Sequence, residues 1–118
     1  VLVVEDETSV LGVAHRMLDG LGYTVLTATD PDQARHVVDS YGKEIDLLMT
    51  DVILPSMNGK DLAEQLKALK PSMKCLFTSG YTADVIAHRG MLAAGVQFLP
   101  KPFSMNEMAA KVRAALDA

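Results

Sequence analysis

Leu47-Leu48-Met49-Thr50-Asp51-Val52-Ile53-Leu54-Pro55-Ser56-Met57-Asn58-Gly59 carries an unbroken apolar run into a carboxylate and then into turn residues. A run without polar alternation describes a strand covered on both faces, the habit of a parallel sheet. Charge at the end of such a strand is costly to bury alone, so Asp51 needs either a capping role or partners from elsewhere in the chain. The other strand ends decide between the two.

Moving outward toward the amino end, Val1 to Val4 is a second β-branched apolar run, closed by Glu5-Asp6-Glu7. After Thr8, the spacing of Val10, Leu11, Ala14, Met17, Leu18 and Leu21 predicts a helix that Gly20 and Gly22 end. Tyr23 to Ala28 has strand character. Asp30-Pro31 then reads as an N-cap followed by proline at the first helical position, with Ala34, Val37, Val38 and Tyr41 facing inward. Gly42 to Asp46 is a polar loop leading into the strand at Leu47 to Thr50.

Toward the carboxyl end, Leu62, Leu66 and Leu69 mark one face of a third helix, stopped by Lys70-Pro71. Lys74 to Thr78 is a fourth strand and Ser79-Gly80 a turn. Ala83 to Ala94 is a helix using Val85, Ile86 and Leu92 and weakened by Gly90. Gln97 to Leu99 is a short fifth strand. Past Lys101-Pro102-Phe103, Ser104 to Glu107 forms a capping box that opens a last helix striped by Met105, Met108, Ala109, Val112, Ala115 and Leu116. Five strands alternating with five helices give an α/β fold: right-handed crossovers and a parallel sheet with helices on both faces.

At 118 residues this is one domain, 1–118, with 49% hydrophobic and 22% charged residues and a net charge of −4. The chain opens inside a strand without a start methionine, which suggests a piece of a longer protein. One cysteine excludes a disulfide framework, and no Cys/His cluster offers a zinc site, so a cytoplasmic setting is the expectation. Cys75 falls in an apolar run and reads as a buried, inert thiol. The acidic balance and the lack of a basic stripe argue against direct contact with nucleic acid. No run of about 18 apolar residues spans a membrane, although the parent protein can still be membrane-anchored.

In sheets of this kind, sites lie outside the carboxyl ends of the strands, where the strand order reverses. The residues there are Glu5-Asp6, Asp30, Asp51, Ser79-Gly80 and Lys101. Asp30 is explained as a cap by Pro31. The remaining three acids would repel one another unless a cation neutralised them, and all-oxygen ligation suits Mg²⁺, with Mn²⁺ as a substitute. Lys101 supplies a point charge for an anion and Ser79 a hydroxyl. Together they describe a phosphoryl site in which an ionised Asp51 can act as nucleophile and form an acyl phosphate without a general base.

In this order the motifs resemble the receiver domain of two-component response regulators over all 118 residues: Glu5-Asp6 after strand 1, Asp51 with Pro55 and Gly59 after strand 3, Ser79-Gly80 after strand 4, and Lys101-Pro102-Phe103 after strand 5. The resemblance implies a flavodoxin-like, doubly wound five-stranded parallel sheet of order 2-1-3-4-5. It also implies phosphorylation of Asp51 by a phosphohistidine of a sensor histidine kinase. Mg²⁺ would be held by Asp6, Asp51 and the backbone carbonyl of Ile53, with Glu5 acting through water. Ser79 and Lys101 would contact the phosphoryl oxygens. A switch would follow in which Ser79 swings inward, Phe98 fills the vacated space, and the face made by helix 83–94, strand 5 and the last helix changes. The Lys101-Pro102 bond is expected to be cis. As an isolated domain it would not be an enzyme beyond assisting its own phosphorylation and dephosphorylation.

Four departures from the commonest pattern involve five positions. Glu5 replaces an aspartate, Phe98 lacks a tyrosine hydroxyl, Ser79 stands where threonine is frequent, and bulky Ile53 and Tyr81 flank the site, where they would slow attack by water. The stretches 77–82 and 98–103 resemble receivers at the carboxyl end of hybrid sensor histidine kinases, with a histidine phosphotransfer protein as a further partner. The receiver of a stand-alone or DNA-binding regulator is the alternative. A flavodoxin-type FMN site is disfavoured by Glu5-Asp6-Glu7, which would repel the phosphate, and a haloacid-dehalogenase-like phosphatase by Ile53, where a second acid is needed. His15, His36 and His88 lack a second ligand one turn away and read as solvated or packed. Most methionines fall on apolar stripes, though Met73 and Met91 have no obvious place.

Overall fold

The computed structural model describes residues 1–80 and 97–118. They form, in order, β1 (Leu2–Val4), α1 (Thr8–Gly20), β2 (Leu26–Ala28), α2 (Pro31–Ser40), β3 (Leu47–Asp51), α3 (Gly59–Leu69), β4 (Lys74–Ser79), β5 (Phe98–Pro100) and α4 (Met105–Asp117). The helix expected over 83–94, and with it Tyr81, His88 and Met91, lies outside the described residues. All strand pairs are parallel and the sheet order is β2-β1-β3-β4-β5, as the resemblance implied.

The lack of alternation in β3 has a direct structural cause. Leu48 and Val52 point into a core shared with Ala34 and Val38 of α2 and Leu62 and Leu66 of α3. Leu47 and Met49 point the other way, onto Leu11, Ala14 and Leu18 of α1 and Met108, Val112 and Ala115 of α4. Both faces of the strand are therefore dry, and each successive side chain serves a different core.

The end signals act as expected. Asp30 Oδ1 accepts the Gln33 N–H at 2.8 Å with Pro31 at the first helical position. Ser104 and Glu107 complete a reciprocal capping box at 3.1 and 3.0 Å. Gly22 takes φ +93 just beyond α1, where a side chain would be strained. The Lys101–Pro102 peptide is cis.

Several expectations need correction. β2 is confined to Leu26–Ala28, shorter than the expected Tyr23 to Ala28: the Tyr23 N–H closes α1 on the Leu18 carbonyl, while the Thr24 carbonyl accepts the Val1 ammonium at 2.8 Å. β5 sits one residue later than expected and includes Pro100, tolerable because β5 pairs only with β4 and stands at the edge. Ile45, within an expected polar loop, is buried under α2 and α3, and Met73 fills the same core. Leu69 is 53% exposed and Met105 40% exposed, since each lies at a helix end beyond the reach of the sheet. Cys75 is half-buried rather than buried, and burial pushes its thiol up, with Lys67 opposing.

At the start of α3, Asn58 caps the helix by accepting the Asp61 N–H at 2.8 Å, and Gly59 donates to the Val52 carbonyl at 2.6 Å. A Cβ on Gly59 would collide with the Asp51 carbonyl oxygen and lie 3.1 Å from its carbon and 3.2 Å from the Thr50 methyl. Backbone cannot yield cheaply there. Gly59→Ala is expected to cost about 2 kcal/mol, the range of overpacked sites, read as a lowered urea midpoint with an unchanged slope.

Candidate functional site

The ladder of backbone hydrogen bonds continues past the strands at their carboxyl ends. Glu5 N–H donates to the Ala28 carbonyl at 3.1 Å, Val52 N–H to Thr78 at 2.9 Å, and Lys101 N–H to Ser79 at 2.8 Å. The residues that leave the sheet here are thus fixed by it, and their side chains converge.

Glu5, Asp6 and Asp51 each present a carboxylate oxygen, and these oxygens all lie within 4.8 Å of one another. Glu5 and Asp51 are buried at 3% and 8% exposure, whereas Asp6 faces solvent. Lys101 reaches across from β5 and its Nζ donates to Asp51 Oδ2 at 2.8 Å and to Glu5 Oε1. Asp51 Oδ1 accepts the Ile53 N–H at 3.4 Å. Among the described residues, Glu5 Oε2 is buried with no hydrogen-bond partner.

Burial pushes the Glu5 carboxyl up to about 7, opposed by the hydrogen bond and charge of Lys101 and reinforced by the charge of Asp51. Burial works to lower the Lys101 ammonium, but hydrogen bonds to Asp51 and Glu5 outweigh it and hold the amine above its ordinary value. One monovalent cation therefore leaves the acids incompletely compensated. Three hard oxygen donors on one side and an orphaned buried oxygen among them fit a small divalent cation, with Glu5, Asp6 and Asp51 as the residues to hold it.

Of the residues singled out in the sequence, the fold brings Glu5, Asp6, Asp51 and Lys101 together. Ser79 is buried at the end of β4, one position beyond the Asp51–Thr78 pairing and opposite Pro100. Phe98 pairs in register with Phe77 and packs, half-buried, against the α2/α3 core. Ile53 is 41% exposed and forms an isolated antiparallel bridge with Asn58. Asp30 stays with its helix.

One contributor escaped sequence reasoning: Thr50, fully buried, donates its hydroxyl to the Asp51 carbonyl at 3.1 Å, and a hydroxyl inside an apolar run was the available signal. Gly59, already part of the motif, provides the space that carbonyl occupies. Beside the site, Val10 and Val13 of α1 and Pro102 and Phe103 of the β5–α4 connection, with Gly80 and Lys101, border an apolar depression of about 480 Å³.

A family model described as the response regulator receiver domain matches residues 1–113. The sensor kinase CckA of Brucella abortus (strain 2308) is 38% identical over 117 residues, 99% of this chain and 12% of that protein. The DNA-binding transcriptional regulator NtrC of Azospirillum brasilense is 30% identical over 119 residues, 100% of this chain and 24% of that protein. The chain thus spans a minor part of the length of both relatives. Among solved structures, the receiver domain from the hybrid histidine kinase CckA matches with a TM-score of 0.80 and 36% identity, covering 98% of this chain and 96% of that one. With its sheet order, its converging strand-end acids and lysine, and this match along nearly its whole length, the chain belongs to the response regulator receiver domain family.

Proposed function

We propose that this domain accepts a phosphoryl group on Asp51 from the phosphohistidine of a partner kinase. The observation that carries the reading is the Lys101 ammonium held between Asp51 and Glu5, with an Asp6 oxygen within 4.8 Å. Such an arrangement surrounds a nucleophile with a cation for the incoming anion and with ligands for a metal. Asp51 attacks phosphorus, the phosphorus–nitrogen bond breaks with its electron pair going to the imidazole, and an acyl phosphate remains. Lys101 exchanges a carboxylate for a phosphoryl oxygen, and Ser79 offers its hydroxyl to another. Mg²⁺, or Mn²⁺ in its place, would be held by Asp6, Asp51 and the Ile53 carbonyl, with Glu5 assisting, and would supply charge neutralisation at the phosphoryl oxygens.

The phosphohistidine partner would approach over the apolar depression between α1 and Phe103, which opens beside Lys101. The output would follow the Ser79–Phe98 switch. Similarity to the sensor kinase CckA supports a hybrid histidine kinase as the parent of a receiver at 1–118, with a histidine phosphotransfer protein as a further partner. Similarity to the regulator NtrC supports the DNA-binding regulator as second reading. No helix among the described residues is long and apolar enough to cross a membrane.

Incubation with acetyl phosphate and Mg²⁺ followed by intact mass tests the acceptor. Wild type should gain one acid-stable, base-labile phosphoryl group and Asp51→Asn none; equal labelling of the two would refute the assignment. Lys101→Ala should slow the response to phosphorylation far more than it lowers the melting temperature. If exposed Ile53 shields the acyl phosphate, a polar replacement should shorten its half-life, and a longer one would count against shielding.

Glu5 yields a pH dependence. Its carboxyl binds a proton up to about 7 in the folded protein, against 4.5 for the unperturbed group. Between those values the folded state holds a proton that the unfolded state has lost, so the metal-free stability contributed by Glu5 falls as pH rises through the window. Urea melts from pH 5 to 7 should show this decline in EDTA, relative to Glu5→Gln, and Mg²⁺ should flatten it. A metal-free difference that grew with pH would have the wrong sign.

A further inference from the structure

Behind β3, on the face turned toward α3, Thr50 is fully buried on the side of the strand that Leu48 and Val52 also occupy. Its methyl lies against the start of α3, where a Cβ added to Gly59 would come within 3.2 Å of Thr50 Cγ2. Its hydroxyl donates to the Asp51 carbonyl oxygen at 3.1 Å. The pairing of β1 with β3 ends at Val4 and Thr50, so that carbonyl lies past the last β1 pair. The N–H of the same peptide, that of Val52, donates to the Thr78 carbonyl at 2.9 Å. The Asp51–Val52 peptide is thus held at both polar ends, one by the sheet and the other by a side chain. The Gly59 N–H cannot replace the hydroxyl, being committed to the Val52 carbonyl at 2.6 Å.

We infer that Thr50 is a positioning residue for phosphoryl acceptance: its hydroxyl fixes the tilt of the Asp51–Val52 peptide and, through it, the aim of the Asp51 carboxylate. This rests on the acceptor reading above. A peptide plane rocks about the line between its two Cα atoms, turning ψ of the first residue and φ of the second together. Holding both polar ends stops that motion. Without it, ψ at Asp51 would drift and the carboxylate would turn relative to the chain that follows, including the Ile53 N–H that meets Asp51 Oδ1 at 3.4 Å. Attack on phosphorus tolerates little misdirection of the nucleophilic oxygen. A buried carbonyl deprived of its donor is costly to leave unpaired, so the plane would tilt toward another partner rather than stay where it is.

Two substitutions separate positioning from packing. Thr50→Val keeps the shape of the side chain and removes the donor, whereas Thr50→Ser keeps the donor and removes the methyl packed on Gly59. At saturating Mg²⁺, the rate of labelling by acetyl phosphate, followed by intact mass, should fall about ten-fold in Thr50→Val, the scale of one buried hydrogen bond. Thr50→Ser should stay near wild type. Val38→Ala, which opens space in the core beneath α2 and α3, should lower the urea midpoint and leave the rate unchanged, so that lost stability alone does not mimic the effect. In the metal-free protein the Ile53 amide proton resonance should move in Thr50→Val and hold its place in Thr50→Ser. A wild-type rate in Thr50→Val, or equal losses in the two Thr50 variants, overturns the positioning role and leaves Asp51 as acceptor. No labelling of wild type overturns the acceptor reading, and this inference with it.

Discussion

Two buried carboxylates, Glu5 and Asp51, share one ammonium, and the rest of the architecture can be understood as the means of bringing that ammonium to them. Glu5 leaves β1, Asp51 ends β3, and Lys101 follows β5, which lies two strands beyond β3. Adjacent strands are about 4.8 Å apart, so Lys101 starts roughly 10 Å from its partner. A long, unbranched side chain is needed to close that gap. A parallel sheet is needed as well, because only then do all strands finish on the same edge. The crossover helices and the dry cores beneath them follow from that requirement, since a parallel sheet must be covered on both faces.

Much of this was legible in the sequence. Unbroken apolar runs located β1, β3 and β4, the caps at Asp30 and Ser104 fixed two helix starts, and the acids and lysine just past the strand ends announced the site. What the sequence could not show were consequences of distance along the chain. That Glu5 would be 3% exposed depends on Lys101, 96 residues away, folding over it. Ile45 and Met73 looked like loop residues because burial there is imposed by α2 and α3 and has no local periodicity. Leu69 looked like core because its spacing continued a stripe that the sheet beneath it did not. Tyr23 carried strand composition, but its N–H is taken by the Leu18 carbonyl at the end of α1, a contact that local composition does not announce.

Membership of the receiver family sets aside the FMN-binding and aspartate-phosphatase alternatives, and the convergence of Glu5, Asp6 and Asp51 agrees with the electrostatic objection raised to the first. The same geometry separates positions with similar sequence signals. Asp30 and Asp51 both follow strands, yet the Asp30 carboxylate accepts a backbone N–H from α2, whereas Asp51 faces a lysine and two other acids. A cap satisfies its carboxylate locally, while Asp51 is held by side chains from distant strands.

The alternation of β3 between its two cores makes the sheet a partition. Leu48 and Met49 are neighbours in the chain but belong to separate packing environments, one shared with α2 and α3 and the other with α1 and α4. Repacking on one side can therefore proceed without a matching change on the other, provided the sheet itself keeps its register. The edge where Glu5, Asp51 and Lys101 meet depends on that register and on neither core alone. A scaffold divided in this way can vary the helical surfaces it shows to partners on each side separately, while one chemistry at the strand ends stays in place.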